Sequence, residues 1–213
     1  MAVLIFANGE ESDVEWIRPY LGQASAVIAA DGGTRYLYRL GHIPDVVIGD
    51  MDSLSLEQSR WLANGRTNMV HYPAEKDETD LELALQYATR HFDEEILVFA
   101  GLGGRIDQTL ANIWLLAHPD WHGRTVKLVT KGQHLWLVTD KTAIHGQAGD
   151  TVSLLPLDGD VYITQATGLK WPLHNEMLLF GLSRGISNVM TAPQAEIVVG
   201  NGRLLVVHMT IDD

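Results

Sequence analysis

Residues 46–53 read Val46-Val47-Ile48-Gly49-Asp50-Met51-Asp52-Ser53, a β-branched run that ends in a glycine and two aspartates. A short β-branched run followed by a turn signal is typical of a buried strand. The same order occurs earlier in the chain, where the apolar run Ala26–Ala30 leads directly into Asp31-Gly32-Gly33. Because ligands of α/β sheets bind beyond the carboxyl ends of the strands, both stretches favour such a sheet with a polar site at that edge.

Strand-length apolar runs alternate with helical spacing throughout residues 1–130. The further runs are Val3–Ala7, Met69–Tyr72, Ile96–Ala100 and Val126–Val129. Helical i, i+3, i+4, i+7 spacing is found at two sets of positions, which are Leu81, Ala84, Leu85 and Ala88, and Leu110, Ile113, Trp114 and Ala117. Capping boxes predict helix starts at Ser12, Ser55 and Thr79. This alternation predicts an α/β fold with a Rossmann-like, mostly parallel sheet and helices on both of its faces.

The helical spacing ends near residue 130, and short strand-like runs separated by turn signals follow. These runs are His134–Val138, Thr151–Leu155, Val161–Ala166, Ile197–Val199 and Leu204–Met209. Many short strands with such punctuation predict an antiparallel β-sandwich. We therefore expect two domains, residues 1–130 and residues 131–213.

Composition excludes several classes of protein. The chain has 213 residues, of which 46% are hydrophobic and 20% charged, so it is neither disordered nor built from membrane spans. With 15 Lys and Arg against 27 Asp and Glu, the net charge is −12, so we expect neither nucleic acid nor a membrane as a partner. The absence of cysteine excludes disulfides and thiolate metal sites. The N-terminus lacks the features of a signal peptide, which predicts a cytoplasmic protein.

Six aspartates follow the ends of predicted strands: Asp31, Asp50, Asp52, Asp77, Asp80 and Asp107. In a parallel sheet these ends meet at one edge, where crowded carboxylates would raise each other's pKa. A divalent cation removes that conflict, and the two hard oxygen ligands of Asp50-x-Asp52 suit Mg²⁺. Taken singly, each aspartate can also be explained as a turn residue or as a first-turn acid of a helix.

The run Gly101-Leu102-Gly103-Gly104-Arg105-Ile106-Asp107-Gln108 has the character of a phosphate-binding loop. Glycines let the backbone approach a phosphate, and the following helix start adds amide donors. Arg105 offers a bidentate cation for phosphate oxygens. The run is not a Walker A sequence, and a glycine-rich loop with a solvated arginine is the alternative interpretation.

At this point the chain resembles the thiamine pyrophosphokinase family, in six segments that occur in the family's order. The segments are Ala30-Asp31-Gly32-Gly33, Gly49-Asp50-Met51-Asp52-Ser53, Lys76-Asp77-Glu78-Thr79-Asp80, Gly103-Gly104-Arg105-Ile106-Asp107-Gln108, Gly168-Leu169-Lys170-Trp171-Pro172-Leu173 and Ser183-Arg184-Gly185-Ile186-Ser187-Asn188. Gln108 departs from the family, whose bacterial members usually carry His there. That departure argues against proton transfer at this position.

The resemblance implies an enzyme that transfers a diphosphoryl group from ATP to the hydroxyl of thiamine, giving thiamine diphosphate and AMP. It also implies an N-terminal α/β catalytic domain that binds the nucleotide and metal, and a C-terminal β-sandwich that binds thiamine and forms the dimer. Members of the family are homodimers, with thiamine sites at the subunit interface. Mg²⁺ is the expected cofactor, and ATP is the co-substrate.

Roles for single residues follow from the resemblance together with the chemistry of transfer at phosphorus. We expect Asp50, Asp52 and Asp80 to be metal ligands, and Asp77 to be a fourth ligand or a base near the thiamine hydroxyl. The expected ATP site contains Asp31, Gly32, Lys76, Gly103, Gly104, Arg105, Asp107 and Gln108. Asp31 and Asp107 would hold the metal shell or the nucleotide, while Arg105 and Lys76 would neutralise phosphate charge.

Thiamine is a cation with two aromatic rings, so it suits an acidic site and an aromatic face. We expect Ser187 and Asn188 to hydrogen-bond its aminopyrimidine and Trp171 to pack nearby, although a tryptophan in a strand is more often part of a core. Two other functions stay open from the residues alone. One is a metal-dependent nucleotide-sugar transferase that uses Asp50-x-Asp52, and the other is a non-catalytic metal–nucleotide sensor.

Overall fold

The computed structural model describes residues 1–121 and 123–211, which divide into two compact units, Met1–Thr130 and Lys131–Asp213. Each unit has its own hydrophobic core. Among the described residues, every helix is too short or too polar to cross a membrane.

The described residues of the N-terminal unit form six parallel strands in the order β6-β5-β1-β2-β3-β4. Their bounds are Ala2–Phe6 (β1), Ala24–Ala30 (β2), Val46–Gly49 (β3), Asn68–His71 (β4), Glu95–Phe99 (β5) and Val126–Thr130 (β6). Each coincides with a predicted apolar run to within two residues. The prediction of a mostly parallel sheet is therefore confirmed.

In the described part of this unit, five α-helices connect the strands: Arg18–Leu21 (α1), Thr34–Leu40 (α2), Leu56–Ala63 (α3), Asp80–His91 (α4) and Ile106–Leu115 (α5). Short 3₁₀ turns cover Glu15–Ile17, Asp31–Gly33 and Pro119–Trp121. The capping box predicted at Ser55 is complete in the structure. At α4 the Thr79 side chain accepts a hydrogen bond from the Glu82 amide. The box predicted at Ser12 is wrong, because Asp13 Oδ1 accepts the Glu15 amide there instead.

Both faces of this sheet are buried, as a parallel sheet requires. Leu4, Phe6 and Phe99 belong to a core cluster that includes residues of α2 and α3. The alternate residues Ile5 and Ile28 point to the opposite face and are also buried. Helix α4 contacts β1, β2 and β3 and buries its own apolar residues. Helices therefore cover both faces, as predicted.

Up to residue 211, the C-terminal unit contains eight strands that pair antiparallel in two groups of four, β12-β9-β14-β7 and β11-β10-β13-β8. Their bounds are Gln133–Val138 (β7), Lys141–His145 (β8), Thr151–Pro156 (β9), Val161–Thr167 (β10), Leu173–Leu178 (β11), Asn188–Val189 (β12), Gln194–Asn201 (β13) and Leu204–Met209 (β14). One core cluster joins Val152 and Val206 of the first group to Ile163 and Ile197 of the second. This is the predicted sandwich, although β8, β11 and β12 lie outside the predicted runs.

Candidate active site

Three aspartates meet at the carboxyl ends of β2 and β3. One oxygen each of Asp31, Asp50 and Asp52 can be chosen so that all three lie within 4.8 Å of one another. Asp31 follows β2 directly and is buried, whereas Asp50 is half-buried and Asp52 exposed in the loop after β3. Asp31 and Met51 both have positive φ, at 38° and 66°, a conformation that non-glycine residues rarely adopt. The backbone is thus bent at two points to gather these carboxylates.

Gly49, the last residue of β3, leaves room for a fourth carboxylate. A Cβ atom at this position would lie 2.7 Å from Asp31 Cβ and 3.2 Å from Asp80 Oδ1. Its φ of 149° also lies in a range that side chains disfavour. Because only glycine fits between them, Asp31 and Asp80 can flank β3 at close range.

The Asp31 carboxyl is buried next to three other carboxylates. Burial raises the pKa of its carboxyl above the ordinary value, and the charges of Asp80, Asp50 and Asp52 raise it further, while a hydrogen bond from Ser53 acts in the opposite direction. Within the described part of the chain, Asp31 Oδ1 is buried and has no hydrogen-bond partner. A buried acceptor of this kind is costly unless something positive binds it. The donor set, all carboxylate oxygen, therefore fits a hard divalent cation.

Lys76 supplies a positive charge next to the aspartates. Its Nζ lies 3.0 Å from Asp80 Oδ1 and donates a hydrogen bond to the carbonyl of Pro73 at 3.3 Å. Burial lowers the pKa of the Lys76 ammonium, but the bond to Asp80 and the charges of Asp50 and Asp31 outweigh it and leave that pKa raised. Asp77, between these two residues in sequence, is exposed.

A cleft of about 320 Å³ opens beside this cluster, entirely within the N-terminal unit. Of the residues singled out in the sequence, Asp50, Lys76, Asp80, Gly103 and Gln108 line it. Asp31, Gly32, Asp52, Asp77, Gly104, Arg105 and Asp107 are not among its lining residues. The cleft therefore joins the acidic cluster to the glycine-rich loop and the beginning of α5.

Sequence reasoning missed part of the cleft wall, namely Asn8, Gly9, Thr109 and Asn112. The first two follow β1 after a single residue, Ala7, so the rule that located Asp31 and Asp50 applies to them as well. A Cβ at Gly9 would lie 2.5 Å from the carbonyl oxygen of Ala100, which explains the glycine. A Cβ at Gly32 would lie 2.4 Å from Asn8 Nδ2. Gly32 thus makes room for the Asn8 side chain.

In the glycine-rich loop, Gly103 and Gly104 both have positive φ, at 92° and 75°. The Gly103 amide donates to Thr109 Oγ1 at 3.2 Å, which ties the loop to α5. Among the described residues, no side-chain hydrogen bond caps the start of α5 at Arg105. The backbone at the start of this helix is therefore the kind of surface that binds anions.

Arg105 pairs with Asp107 through both ends of its guanidinium. Nε lies 3.1 Å from Oδ1 and Nη2 lies 2.5 Å from Oδ2. The hydrogen bond from Arg105 holds the pKa of the Asp107 carboxyl below its ordinary value. Both side chains are about two-thirds exposed, at 69% and 65%. An exposed pair of this kind is weak, so phosphate oxygens can compete with Asp107 for the guanidinium.

The structure also brings together two of the three residues proposed for thiamine. Trp171 is 54% exposed, so it is not a core residue. Asn188 is only 7% exposed, and its side chain bonds to the backbone of Trp171. Ser187 is exposed and has a positive φ of 59°.

Comparison with known proteins gives one family for both units. A model of the thiamin pyrophosphokinase catalytic domain matches residues 17–129, and a model of the thiamin pyrophosphokinase vitamin B1 binding domain matches residues 141–204. Thiamine pyrophosphokinase of Bacillus subtilis (strain 168) is 28% identical over 208 residues, which cover 97% of each chain.

Solved structures agree with this result. A crystal structure of thiamine pyrophosphokinase from Bacillus subtilis matches with a TM-score of 0.87 at 28% identity, over 99% of each chain. A thiamin pyrophosphokinase family protein from Enterococcus faecalis also gives a TM-score of 0.87, at 26% identity over 100% of both chains. The likeness covers both units.

Proposed function

The chain belongs to the thiamin pyrophosphokinase family and has thiamine pyrophosphokinase activity, and from this we propose that the acidic cluster of the N-terminal unit carries the reaction. A diphosphoryl group moves from ATP to the hydroxyl of thiamine. The hydroxyl oxygen bonds to the β-phosphorus, the bond between that phosphorus and the α,β-bridging oxygen breaks, and AMP leaves with that oxygen. The observation that carries the proposal is the meeting of Asp31, Asp50 and Asp52 beside a cleft.

Mg²⁺ is the ion proposed for this cluster. Asp31, Asp50 and Asp52 would hold it, and the buried, unpaired oxygen of Asp31 supports that assignment. Asp80 remains a candidate ligand on the other side of Gly49, although Lys76 already neutralises one of its oxygens. When bound, the ion neutralises phosphate charge and orients the phosphates for in-line transfer.

The chain's own cations and amides complete the phosphate site. Lys76, at the wall of the cleft, is placed to bind phosphate oxygens while it remains paired with Asp80. Arg105 exchanges Asp107 for phosphate oxygens and stabilises charge as AMP leaves. Gly103, Gly104 and Gln108 provide the loop and helix start against which the phosphates rest. Asp77 is the exposed carboxylate proposed to accept the proton of the thiamine hydroxyl.

Thiamine is proposed to bind the C-terminal unit through Trp171 and Ser187. Lys170 Nζ lies 4.8 Å from the centroid of the Trp171 ring, so this indole face already accommodates a cation. A thiazolium ring is a flat cation that can take the same position. The exposed hydroxyl of Ser187 can hydrogen-bond the aminopyrimidine.

We further propose a cytoplasmic homodimer. Each unit exposes apolar side chains that a monomer would leave in water. On α5 these are Ile106, Leu110 and Trp114, spaced i, i+4, i+8 along one stripe. In the C-terminal unit Phe180, Leu182 and Ile186 are about half exposed. Exposed apolar side chains grouped in this way mark an interaction site, and a second copy is the occupant that the resemblance supports.

The test is incubation of the purified protein with thiamine, ATP and Mg²⁺. We expect AMP and thiamine diphosphate in equal amounts, with AMP formation dependent on thiamine and lost on chelation with EDTA. Addition of Mg²⁺ should restore it. Binding of both ligands without turnover would contradict the proposal and would favour a sensor.

A further inference from the structure

We propose that Asn188 is a positioning residue that holds Trp171 against thiamine and does not itself contact the substrate. The inference rests on the proposed function, in which Trp171 stacks on thiamine. It replaces the expectation that the Asn188 amide bonds the aminopyrimidine.

The Asn188 side chain pairs with both backbone groups of Trp171. Its Oδ1 accepts the Trp171 amide at 3.1 Å, and its Nδ2 donates to the Trp171 carbonyl at 2.7 Å. The same Oδ1 accepts the Val189 amide at 2.9 Å. Two N–H donors at one atom define which end of the amide is oxygen. The side chain therefore acts as a peptide group would in a sheet, bonding donor to acceptor and acceptor to donor.

The position of this pair in the sandwich explains why a side chain is needed. The segment before Trp171 runs beside β12, with the Lys170 amide bonded to the Val189 carbonyl at 2.8 Å and the Thr191 amide bonded to the Gly168 carbonyl at 2.9 Å. The backbone of Asn188, in β12, pairs with Val152 of β9, and both strands belong to the group that does not contain β11. The backbone of Asn188 thus pairs within the group of strands that contains β9. Its side chain holds the backbone of Trp171, just before β11 begins in the other group.

Burial separates the roles of the two residues. Asn188 is 7% exposed and its amide has three hydrogen bonds, whereas Trp171 is 54% exposed. A buried amide with its acceptor fully used is poorly placed to bind a ligand. An indole presented on a backbone that is fixed at both its N–H and its C=O loses little freedom on binding, which favours affinity.

Kinetics of Asn188→Ala, Trp171→Ala and the double variant test the proposal. We expect each single variant to raise the KM for thiamine at least about tenfold, with the KM for ATP changed less than about twofold. If Asn188 acts only through Trp171, the double variant should be no worse than Trp171→Ala. The control is Thr142→Val, which removes the 3.3 Å hydrogen bond from Trp136 Nε1 in the same unit. Its KM for thiamine should stay close to wild type.

A spectroscopic measurement tests the positioning itself without turnover. The chain has six tryptophans, so 5-fluorotryptophan labelling gives six fluorine resonances, and the Trp171 resonance is the one that Trp171→Phe removes. In Asn188→Ala this resonance should shift or broaden without any ligand, while the resonances of Trp16, Trp61 and Trp114 keep their positions. If Asn188→Ala does not fold, Asn188→Asp serves in its place. It keeps the shape and the Oδ1 acceptor but puts an oxygen opposite the Trp171 carbonyl.

The outcomes are separable. A further rise in KM for thiamine on adding Asn188→Ala to Trp171→Ala would overturn the proposal, because it would reveal a direct contact. An unmoved Trp171 resonance in the Asn188 variants would also overturn it. Wild-type protein that forms no thiamine-dependent AMP would instead overturn the proposed function, and that result is seen before any variant is made.

Discussion

Lys76 Nζ lies 3.0 Å from Asp80 Oδ1, four residues along the same segment, beside the carboxylates of Asp31 and Asp50. The acidic cluster therefore has a counter-charge next to it, on the segment that precedes α4. This lysine is mostly shielded from water, with only 12% of its side chain exposed, so the interaction is screened less than a surface pair. The charge of the acidic cluster therefore has to be considered together with that of Lys76.

The first prediction concerns this lysine. Lys76→Met should raise the KM for ATP and lower kcat, together by at least about tenfold in kcat/KM, because a phosphate contact in a screened site is lost. Steady-state kinetics with ATP varied provides the measurement. Lys127→Met is the control, since Lys127 also forms an ion pair, with Glu95 at 2.6 Å, and is not among the residues lining the cleft. An unchanged kcat/KM for ATP in Lys76→Met would mean that Lys76 does not contact phosphate and has only a structural role.

The second prediction concerns Asp31 and pH. Burial raises the pKa of the Asp31 carboxyl in the folded protein above its ordinary value of 3.8. As pH rises, the unfolded chain therefore releases the Asp31 proton at a lower pH than the folded protein does. The ionised group therefore costs stability at neutral pH and not below pH 3.8. Without metal, Asp31→Asn should raise the melting temperature at neutral pH by about 2–4 °C, as about 1 kcal/mol does in a chain of this size.

The rise in melting temperature from Asp31→Asn should disappear as pH falls below 3.8, the ordinary pKa of an aspartate. Mg²⁺ should raise the melting temperature of the wild type but not that of the variant. Thermal melts at several pH values, with and without Mg²⁺, provide the measurement. Glu57→Gln, at an exposed position in the first turn of α3, is the control and should melt as the wild type does. A variant that melts lower than the wild type at neutral pH would show that Asp31 stabilises the fold.

The third prediction concerns the carboxylates proposed as ligands. Asp50→Asn, Asp52→Asn and Asp80→Asn should each lower the rate at least about tenfold, because each removes charge beside the phosphates. Each protein should remain folded by circular dichroism, since none of these side chains is buried in a core. Full activity in any two of them would contradict the assignment.

Much of the fold follows from the sequence because the apolar runs of a parallel sheet are short, continuous and buried on both faces. The runs after residue 130 were predicted where alternation was strong, as in Val161–Thr167. The sequence does not predict strand β11, Leu173–Leu178, because its exposed residues His174, Asn175 and Met177 break the alternation of apolar and polar residues that marks a strand. The two residues of β12 are too few to give any period.

The candidate site was predictable in part for a similar reason. Residues directly after strands lie at one edge, which located Asp31 and Asp50 without a structure. Position along the chain says nothing about which side chains are already bonded, however. That Asp107 pairs with Arg105, and that Asn188 pairs with the backbone of Trp171, depends on rotamers and on contacts distant in sequence. These contacts change the roles that the residues can have.

The fourth prediction separates chemistry from affinity at Arg105. An interaction that strengthens in the transition state changes kcat, whereas one present equally throughout changes only KM. Arg105→Lys keeps the charge but loses the planar fork, so it should lower kcat substantially and leave the KM for thiamine unchanged. Steady-state kinetics with each substrate varied provides the measurement. Because the pair with Asp107 is exposed, stability should not change, and wild-type kcat would mean that Arg105 is only a solvated loop residue.

The last prediction concerns assembly. A homodimer has a mass of about 47 kDa, twice the 23.5 kDa of one chain. Leu110 is the central residue of the exposed stripe on α5, so Leu110→Glu puts a charge where a second copy would bury apolar surface. Light scattering at micromolar concentration should give a dimer for the wild type and a larger share of monomer for the variant. Leu56→Glu is the control, because Leu56 is also exposed but lies on α3, away from the stripe in sequence. The same loss of dimer in both variants would mean that added charge, and not the α5 stripe, is responsible. A wild-type protein that is monomeric and fully active would exclude the dimer.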